Sequence, residues 1–288
     1  MSTTDEIIHS DVAVVGAGLA GLTAARLLRD AGHQVVVIDA ATPGGRARSD
    51  LRSGAVLNRG PRAIYCGGPA AQVLGSLGVR LAGGPPAVTG AAVRHGEVHP
   101  LPSGIVALAR TRLLSARGKA ALARLMLRLD RIETDRLAAV PFAAWLDEQG
   151  LPDDARGVVE MLGRIASYSH AADVASAEMV VRQMQMAMRD GVRYLDGGWQ
   201  AIVDHLAQGI RVLRGAVDVV EADGHGVEVR TADGRAVRAA AAVVAVGTPA
   251  AAGALLDLEL AAGPPVEASC LDLVTTRPSK PALLFGID

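Results

Sequence analysis

Three glycines near the amino terminus have the spacing that lets a backbone approach a pyrophosphate. Gly16, Gly18 and Gly21 form a Gly-x-Gly-x-x-Gly pattern between an apolar run, Val12–Val15, and a stretch with helical periodicity, Leu19–Ala31. The first glycine of such a pattern permits a tight turn, the second admits the phosphates, and the third lets the helix pack against the strand. The free N–H groups and the dipole of the helix start then attract the phosphates. The pattern therefore predicts a dinucleotide site.

A carboxylate follows at the distance that this site requires. Asp39 ends a second apolar run, Gln34–Asp39, about 20 residues beyond the glycines, where an acid binds the hydroxyl pair of a ribose. Strand, helix and strand joined by short connections imply a right-handed parallel unit. NAD and FAD fit this unit equally well, because both contain an ADP half. The expected contacts of the unit are Gly16, Ala17, Gly18, Leu19, Ala20, Gly21, Asp39 and Ala40.

The residues after Asp39 favour a flavin. The stretch PGGRARS contains Gly44, Gly45 and Arg46, and it resembles the superfamily of flavin-dependent amine oxidases, phytoene desaturases and protoporphyrinogen oxidases, in which a Gly-Gly-Arg turn follows the acid. Two glycines let this loop pass close to the cofactor, and the guanidinium can lie against the pyrophosphate or the flavin edge. The resemblance implies FAD as the cofactor.

Further stretches are similar to the same superfamily. In NRGPRAIY, Gly60 and Pro61 match a segment that passes near the isoalloxazine ring, while Arg62 stands where other polar residues are common, which leaves its role open. The stretch YLDGGWQAIVDHL resembles the Gly-Gly-aromatic turn and helix that return the chain to the cofactor domain. Val217 lies in a strand resembling the one that places its backbone against adenine. AAVVAVGTPAA resembles a later buried strand and turn.

The fold class predicted from these elements is α/β, a Rossmann-like FAD-binding domain with an inserted, mostly helical substrate domain. We expect the FAD-binding domain at 8–66 and 192–262, and the substrate domain, which we expect to be incomplete, at 67–191 and 263–288. The expected strands of the later part are Arg211–Leu213, Val217–Glu221, Val227–Thr231, Ala236–Ala239 and Ala242–Val246. The superfamily's C-terminal Gly-Asp segment has no match before Asp288, so we expect either a fragment or a chain completed by a second chain.

Composition narrows the classes of protein. Hydrophobic residues make up 50% and charged residues 20% of the 288 positions, which is typical of a globular protein. The net charge of −1 argues against nucleic-acid binding. The two cysteines, Cys66 and Cys270, form no spaced cluster, so neither a metal site nor a disulfide framework is expected and a reducing cytoplasm is the default. The uncharged run 239–256 is interrupted by Gly247, Thr248 and Pro249, which favours a strand, turn and helix over a membrane span.

Other residues have an ordinary and a functional interpretation. Cys66 is either a packed thiol or a redox group near the flavin, and the cluster Met184, Met186 and Met188 either fills the helical core or walls a lipophilic substrate. His95 and His99 are expected in a solvated turn. The basic segment Arg110–Arg131 is either a solvated helix face or a surface that docks peripherally on the inner face of an anionic membrane.

The resemblance implies an FAD-dependent oxidoreductase that moves a hydride from a substrate C–H, at an amine or an allylic or conjugated carbon, to flavin N5. The substrate is a small molecule, lipophilic if the basic segment meets a membrane. The alternative within the enzyme class is desaturation of an isoprenoid or porphyrinogen-type substrate. The alternative of another class is a non-catalytic dinucleotide-binding fragment, or a subunit needing a partner chain. No acid–base pair is visible in the sequence and the catalytic residues stay unknown, which fits a reaction whose chemistry the flavin carries.

Overall fold

A computed structural model describes residues 7–86, 90–94, 96–102, 104–263, 265, 269–273 and 285–287. The strands are β1 Ile7–Val15, β2 Val35–Asp39, β3 Ser49–Arg52, β4 Ala55–Asn58, β5 Ile64–Tyr65, β6 Gly83–Gly84, β7 Gly90–Arg94, β8 Glu97–Pro100, β9 Val192–Leu195, β10 Arg211–Arg214, β11 Val217–Ala222, β12 Val227–Thr231, β13 Ala236–Val244 and β14 Phe285–Ile287. The helices are α1 Leu19–Asp30, α2 Pro69–Ser76, α3 Ile105–Arg110, α4 Ala116–Leu129, α5 Phe142–Glu148, α6 Asp153–Ser167, α7 Ala177–Arg189, α8 Gln200–Ala207 and α9 Pro249–Leu256.

The largest sheet has six strands in the order β10-β2-β1-β13-β12-β11. The four strands from β10 to β13 pair in parallel, and β12 and β11 add an antiparallel edge. Strands of a parallel sheet are covered on both faces, which explains the continuous apolar runs of β1 and β2; Ala13, Val14 and Val37 are fully buried. The α/β fold class is therefore confirmed.

One strand differs from the prediction. The segments Ala236–Ala239 and Ala242–Val246 were expected as two strands, but residues Ala236–Val244 form the single strand β13. It pairs with β1 over the whole length of both strands, from Ile7 opposite Ala236 to Val15 opposite Val244. No glycine or proline interrupts β13, so nothing in this segment opposes a continuous ladder.

The helical segment after β8 forms its own core. Buried side chains of α4, α5, α6 and α7 form one cluster, in which Phe142 and Trp145 stack with ring centroids 5.7 Å apart. Ser115 is the N-cap of α4, and its Oγ accepts a hydrogen bond from Gly118 N at 3.0 Å. Its capping satisfies an N–H that the helix leaves without an internal partner.

Two expectations about this segment were wrong in detail. β7 and β8 form an antiparallel hairpin within a stretch predicted to be mostly helical, and His99 pairs with Ala92 in it instead of lying in a turn. His95 lies outside the described residues. Of the methionine cluster, Met184 is buried in the helical core, whereas Met188 is 57% exposed.

The chain divides into two compact units. The first contains the residues up to Arg62, Gln72–Ala82 and Leu195–Pro265. The second contains Ala63–Ala71, Gly83–Tyr194 and the described residues beyond Pro265. The segment 72–82, expected in the substrate domain, thus belongs to the unit with the six-stranded sheet. Among the residues that the structure describes, no helix has both the length and the apolar character needed to cross a bilayer.

Candidate functional site

The turn between β1 and α1 is held by packing at its first and last glycines. Gly16 has φ +105°, and its N–H donates to Ile38 O at 2.8 Å. A Cβ atom on Gly16 would lie 2.5 Å from Ala245 O, and one on Gly21 would collide with Gly16 O. These two glycines are therefore required by the close approach of backbones, whether or not a ligand binds.

Gly18 differs from both. It is the N-cap of α1 with an extended backbone, φ −76° and ψ −179°, and a Cβ atom there would meet nothing within 4 Å. Its side of the turn is open, and the first N–H groups of α1 follow it without carbonyl partners inside the helix. An anion can therefore approach the helix start past Gly18.

The carboxylate at the end of β2 is fixed by backbone donors. Asp39 Oδ2 accepts from Ala17 N at 2.6 Å, and Oδ1 accepts from Ala41 N at 2.7 Å. The Asp39 carbonyl oxygen accepts from Gly215 N at 3.0 Å, which ties the residue to the end of β10. Each carboxylate oxygen keeps a further lone pair, so the group can still accept hydrogen bonds from a ligand.

The Gly-Gly-Arg turn lies directly against the first glycine-rich turn. Gly44, with φ +124°, donates from its N–H to Ala17 O at 2.7 Å and forms a bridge with Gly18. Gly45 has φ +52°, and a Cβ atom on it would lie 3.4 Å from Gly18 Cα. Left-handed backbone at both positions favours glycine. Arg46 follows and is exposed.

A cation stacked on an indole lies next to this turn. The guanidinium carbon of Arg62 is 5.9 Å from the ring centroid of Trp199, within the range of a cation–π contact. Arg62 Nη2 donates to Arg46 O at 2.7 Å and to Arg59 O at 3.2 Å. Arg62 Nε and Trp199 Nε1 are buried and have no hydrogen-bond partner in the described part of the chain.

These groups surround one cavity of about 1300 Å³ inside the first unit. The sequence-predicted residues that line it are Gly16, Gly18, Leu19, Ala20, Asp39, Ala40, Gly44, Gly45, Arg46, Arg62 and Val217. The sequence-predicted residues outside the lining are Ala17, Gly21, Gly60 and Pro61. Ala17 instead acts through its backbone, which bonds Asp39 and Gly44, and Gly21 acts through packing.

The cavity has an excess of positive charge that the motifs alone did not predict. Its charged lining residues are Arg46, Arg48, Arg59, Arg62, Asp39 and Asp218. Arg59 is paired with Asp50, with Nε 3.1 Å from Oδ2, and this hydrogen bond is the main reason that the pKa of Asp50 is lowered. Trp199 and Ala245–Gly247 also line the cavity. In the sequence, the Gly-Gly-aromatic turn indicated Trp199, and the later buried strand and turn indicated Ala245–Gly247.

The remaining candidates from the sequence are the two cysteines, a possible metal site and the basic segment. Cys66 and Cys270 are free thiols, Cys66 half-buried and Cys270 exposed. The part of the chain that the structure describes contains no group of three or more His, Cys, Asp or Glu side chains able to hold a metal ion. The segment Arg110–Arg131 includes α4, whose Leu122, Leu125 and Leu129 are buried while its arginines are exposed.

Known proteins resemble this chain in sequence and fold. The family model described as flavin containing amine oxidoreductase matches residues 19–273. A hydroxyneurosporene desaturase from Rubrivivax gelatinosus is 53% identical over 51 residues, which are 17% of this chain and 10% of that protein. Putrescine oxidase bound to putrescine superposes with a TM-score of 0.65 and 25% identity, over 83% of this chain and 58% of the oxidase. An oxidoreductase from Methanosarcina mazei gives a TM-score of 0.68 at 20% identity, over 86% of this chain and 61% of that one, which shows a shared fold.

Proposed function

We propose that this chain, which belongs to the family of flavin containing amine oxidoreductases, binds FAD and forms the cofactor-binding part of an oxidoreductase acting on a substrate C–H bond. The observation that carries the proposal is the single cavity lined by the β1–α1 turn, Asp39 and the Arg62–Trp199 pair. The chain spans 58% of the putrescine oxidase it resembles, so the activity of the whole protein is part of the proposal.

The ADP half of FAD fits the groups at one side of the cavity. Asp39, its carboxylate oriented by Ala17 N and Ala41 N, would accept hydrogen bonds from the ribose hydroxyls. The open position at Gly18 would admit the pyrophosphate to the N–H groups of α1. The backbone of Val217, which lines the same cavity, would meet the adenine.

The charge of the cavity supports a flavin over a nicotinamide. Both dinucleotides present a diphosphate, which the arginines would neutralise. The oxidised nicotinamide ring carries a positive charge, and Arg46 and Arg62 would repel it. The isoalloxazine ring is neutral when oxidised and rich in acceptor atoms, so it suits a lining that offers two unpaired donors.

When bound, FAD supplies a two-electron acceptor for hydride from carbon. The residues of this chain would bind the cofactor and orient it.

The proposed substrate carbon is activated by an amine or by an allylic or conjugated system. The family description and the putrescine oxidase support an amine. Desaturation of an isoprenoid-type substrate is the second candidate, favoured by the 51-residue match to the desaturase. Bleaching of the flavin band under anaerobic conditions, with putrescine in one cuvette and a micellar acyclic carotenoid in the other, separates the two. Bleaching by the carotenoid alone would replace the amine with the desaturase substrate.

We also propose that the second unit docks on the inner face of an anionic membrane, in the cytoplasm. The exposed cations of the basic segment are Arg110, Arg112, Arg117, Arg124, Arg128 and Arg131. Exposed apolar side chains accompany them, since Ile105 is 89% and Leu127 83% exposed. Cations that attract lipid headgroups and apolar side chains that enter the interface are the combination that peripheral binding requires.

FAD, FMN and NAD titrations test the cofactor proposal directly. Flavin fluorescence quenching should give saturable FAD uptake with a stoichiometry near one, and FMN and NAD should bind far more weakly. Asp39→Asn should lower FAD affinity about tenfold, because one charge-assisted hydrogen bond to ribose is lost. Asp130→Asn, the same change at an exposed site on the second unit, is the matched control. Ready uptake of NAD without uptake of FAD would refute the proposal.

A further inference from the structure

Two buried donors in the cavity lack acceptors, and both belong to the same stacked pair. Arg62 Nε and Trp199 Nε1 are N–H groups that can only donate, and neither has a partner among the described residues. A buried donor left unpaired has lost its hydrogen bonds to water without replacement, which is unfavourable. Because both side chains line the cavity, a ligand with acceptor atoms at this position would satisfy both donors at once.

The pair is held in place by contacts that leave these two atoms available. Arg62 uses Nη2 for the carbonyl oxygens of Arg46 and Arg59 and rests on the Trp199 ring. Trp199 N donates to Asn58 Oδ1 at 2.9 Å, and Ser49 Oγ is 2.7 Å from the same oxygen. The donors are therefore oriented before a ligand arrives, which reduces the entropy cost of binding.

The position of the pair assigns it to the flavin half of FAD. Asp39 and Val217 occupy the ribose and adenine side, and the α1 start at Gly18 takes the diphosphate. Arg62 donates a hydrogen bond to Arg46 O in the turn Gly45–Ala47. This turn lies against Gly18, so Arg62 comes next after the diphosphate when the cofactor is followed from adenine through ribose. The part of FAD beyond the diphosphate is the ribityl chain and the isoalloxazine ring, whose pyrimidine edge offers carbonyl oxygens and ring nitrogens as acceptors.

We propose that Arg62 donates from Nε to the pyrimidine edge of the isoalloxazine ring, with Trp199 Nε1 as the second donor, and that this cation raises the flavin reduction potential. The inference rests on the proposed binding of FAD. Reduction of the ring increases negative charge at this edge, and a cation fixed in a partly buried site stabilises that charge more than water does. Arg62 thus acts as a cofactor-binding and potential-setting residue.

The experiment compares FAD-loaded wild-type protein with Arg62→Met, Arg62→Lys and Trp199→Phe. Arg52→Met is the matched control, because Arg52 is exposed at the end of β3 and outside the cavity lining. Affinities for FAD and for ADP are measured by titration, and the reduction potential is measured by equilibration with a reference dye. Circular dichroism and thermal melting confirm that each variant is folded.

Arg62→Met should weaken FAD binding about tenfold while ADP affinity changes less than twofold. Its equilibrium constant for reduction by the dye should fall about tenfold, which corresponds to about 30 mV for a two-electron couple. Arg62→Lys keeps the charge and should recover most of the potential but not the affinity. Trp199→Phe keeps a ring beneath Arg62 and removes Nε1, so it should weaken FAD binding with a smaller change of potential.

Two results would overturn the inference alone. An equal loss of FAD and ADP affinity in Arg62→Met would assign the guanidinium to the diphosphate. An unchanged reduction potential in that variant would show that Arg62 does not contact the isoalloxazine ring. If Arg62→Met does not fold, Arg62→Lys still tests the contact through affinity, because an equal loss of FAD and ADP affinity in that variant would assign the guanidinium to the diphosphate. Absence of FAD uptake by the wild-type protein would instead refute the proposed function, on which the inference depends.

Discussion

The open side of Gly18 gives the sharpest test of how the first turn works. Gly18→Ala adds one methyl group where the nearest heavy atoms are more than 4 Å away, and alanine adopts φ −76° and ψ −179° without strain. Alanine is a poorer N-cap than glycine by about 0.5–1 kcal/mol, but it lowers the entropy of the unfolded chain by a similar amount. We therefore expect the free energy of unfolding to change by less than about 1 kcal/mol.

FAD affinity should respond far more strongly. A methyl group on the open side of the turn displaces the diphosphate from the α1 start and breaks at least one hydrogen bond to a charged group, worth about 1.5–3 kcal/mol. The dissociation constant for FAD should then rise about tenfold to about a hundredfold. Thermal melting of the protein without cofactor measures the change in stability, and quenching of FAD fluorescence measures the dissociation constant for FAD.

Gly75→Ala is the matched control, since a Cβ atom at Gly75 also meets nothing within 4 Å but the residue lies in α2, outside the cavity lining. It should leave FAD affinity unchanged. A Gly18→Ala protein that binds FAD as tightly as the wild type would show that the diphosphate does not pass this turn. A Gly18→Ala protein that fails to fold would contradict the open space beside Gly18, on which the small expected change in the free energy of unfolding depends.

Three further predictions concern packing, pH and lipid binding. Gly21→Ala should lower the melting temperature strongly even without cofactor, because its Cβ would collide with the carbonyl oxygen of Gly16; an unchanged melting temperature would contradict the tight crossing. Hydrogen bonding to Arg235, and then to Thr231, lowers the pKa of Asp233 from 3.8 to about 2, so its contribution to stability is complete above pH 3.8 and is lost as the pH falls through 2. When the free energy of unfolding is measured as a function of pH, the values for the wild type and Asp233→Asn should therefore converge between pH 4 and pH 2. Curves that stay parallel over this range would disprove the prediction. Arg117→Glu with Arg124→Glu should abolish flotation with vesicles containing anionic lipid, and equal flotation would eliminate the basic segment as a membrane surface.

The sequence was sufficient where structure depends on local spacing. The strand, turn and helix around Gly16 and the carboxylate at Asp39 follow from neighbouring residues, and Gly32, with φ +96°, follows the C-cap of α1. The length of β13 was less predictable. Its alanines have no strong preference for strand, and their conformation is decided by pairing with β1, which is distant in the sequence.

The cationic pair was missed for a related reason. Arg62 belongs to one motif and Trp199 to another, and nothing in either stretch indicates that a guanidinium will stack on that indole. The hairpin of β7 and β8 was missed because its strands are short and of mixed polarity, although Gly96 in its turn, with φ +79°, is typical of hairpins. Contacts between distant segments decide the cationic pair, and sequence periodicity does not encode such contacts.

The three motif glycines also show why the glycine motif alone is weaker evidence for FAD binding than the cavity around it. Gly16 and Gly21 are required by contacts with Ala245 and with each other, so a tight strand–helix crossing would select them even in a protein that binds nothing. Gly18 has no such packing role, because a Cβ atom there would meet nothing within 4 Å, and a bound diphosphate would account for a glycine at this position. Independent support comes from the unpaired donors of Arg62 and Trp199, which packing does not explain either. The proposal of FAD binding therefore depends on the positions that the fold itself does not need.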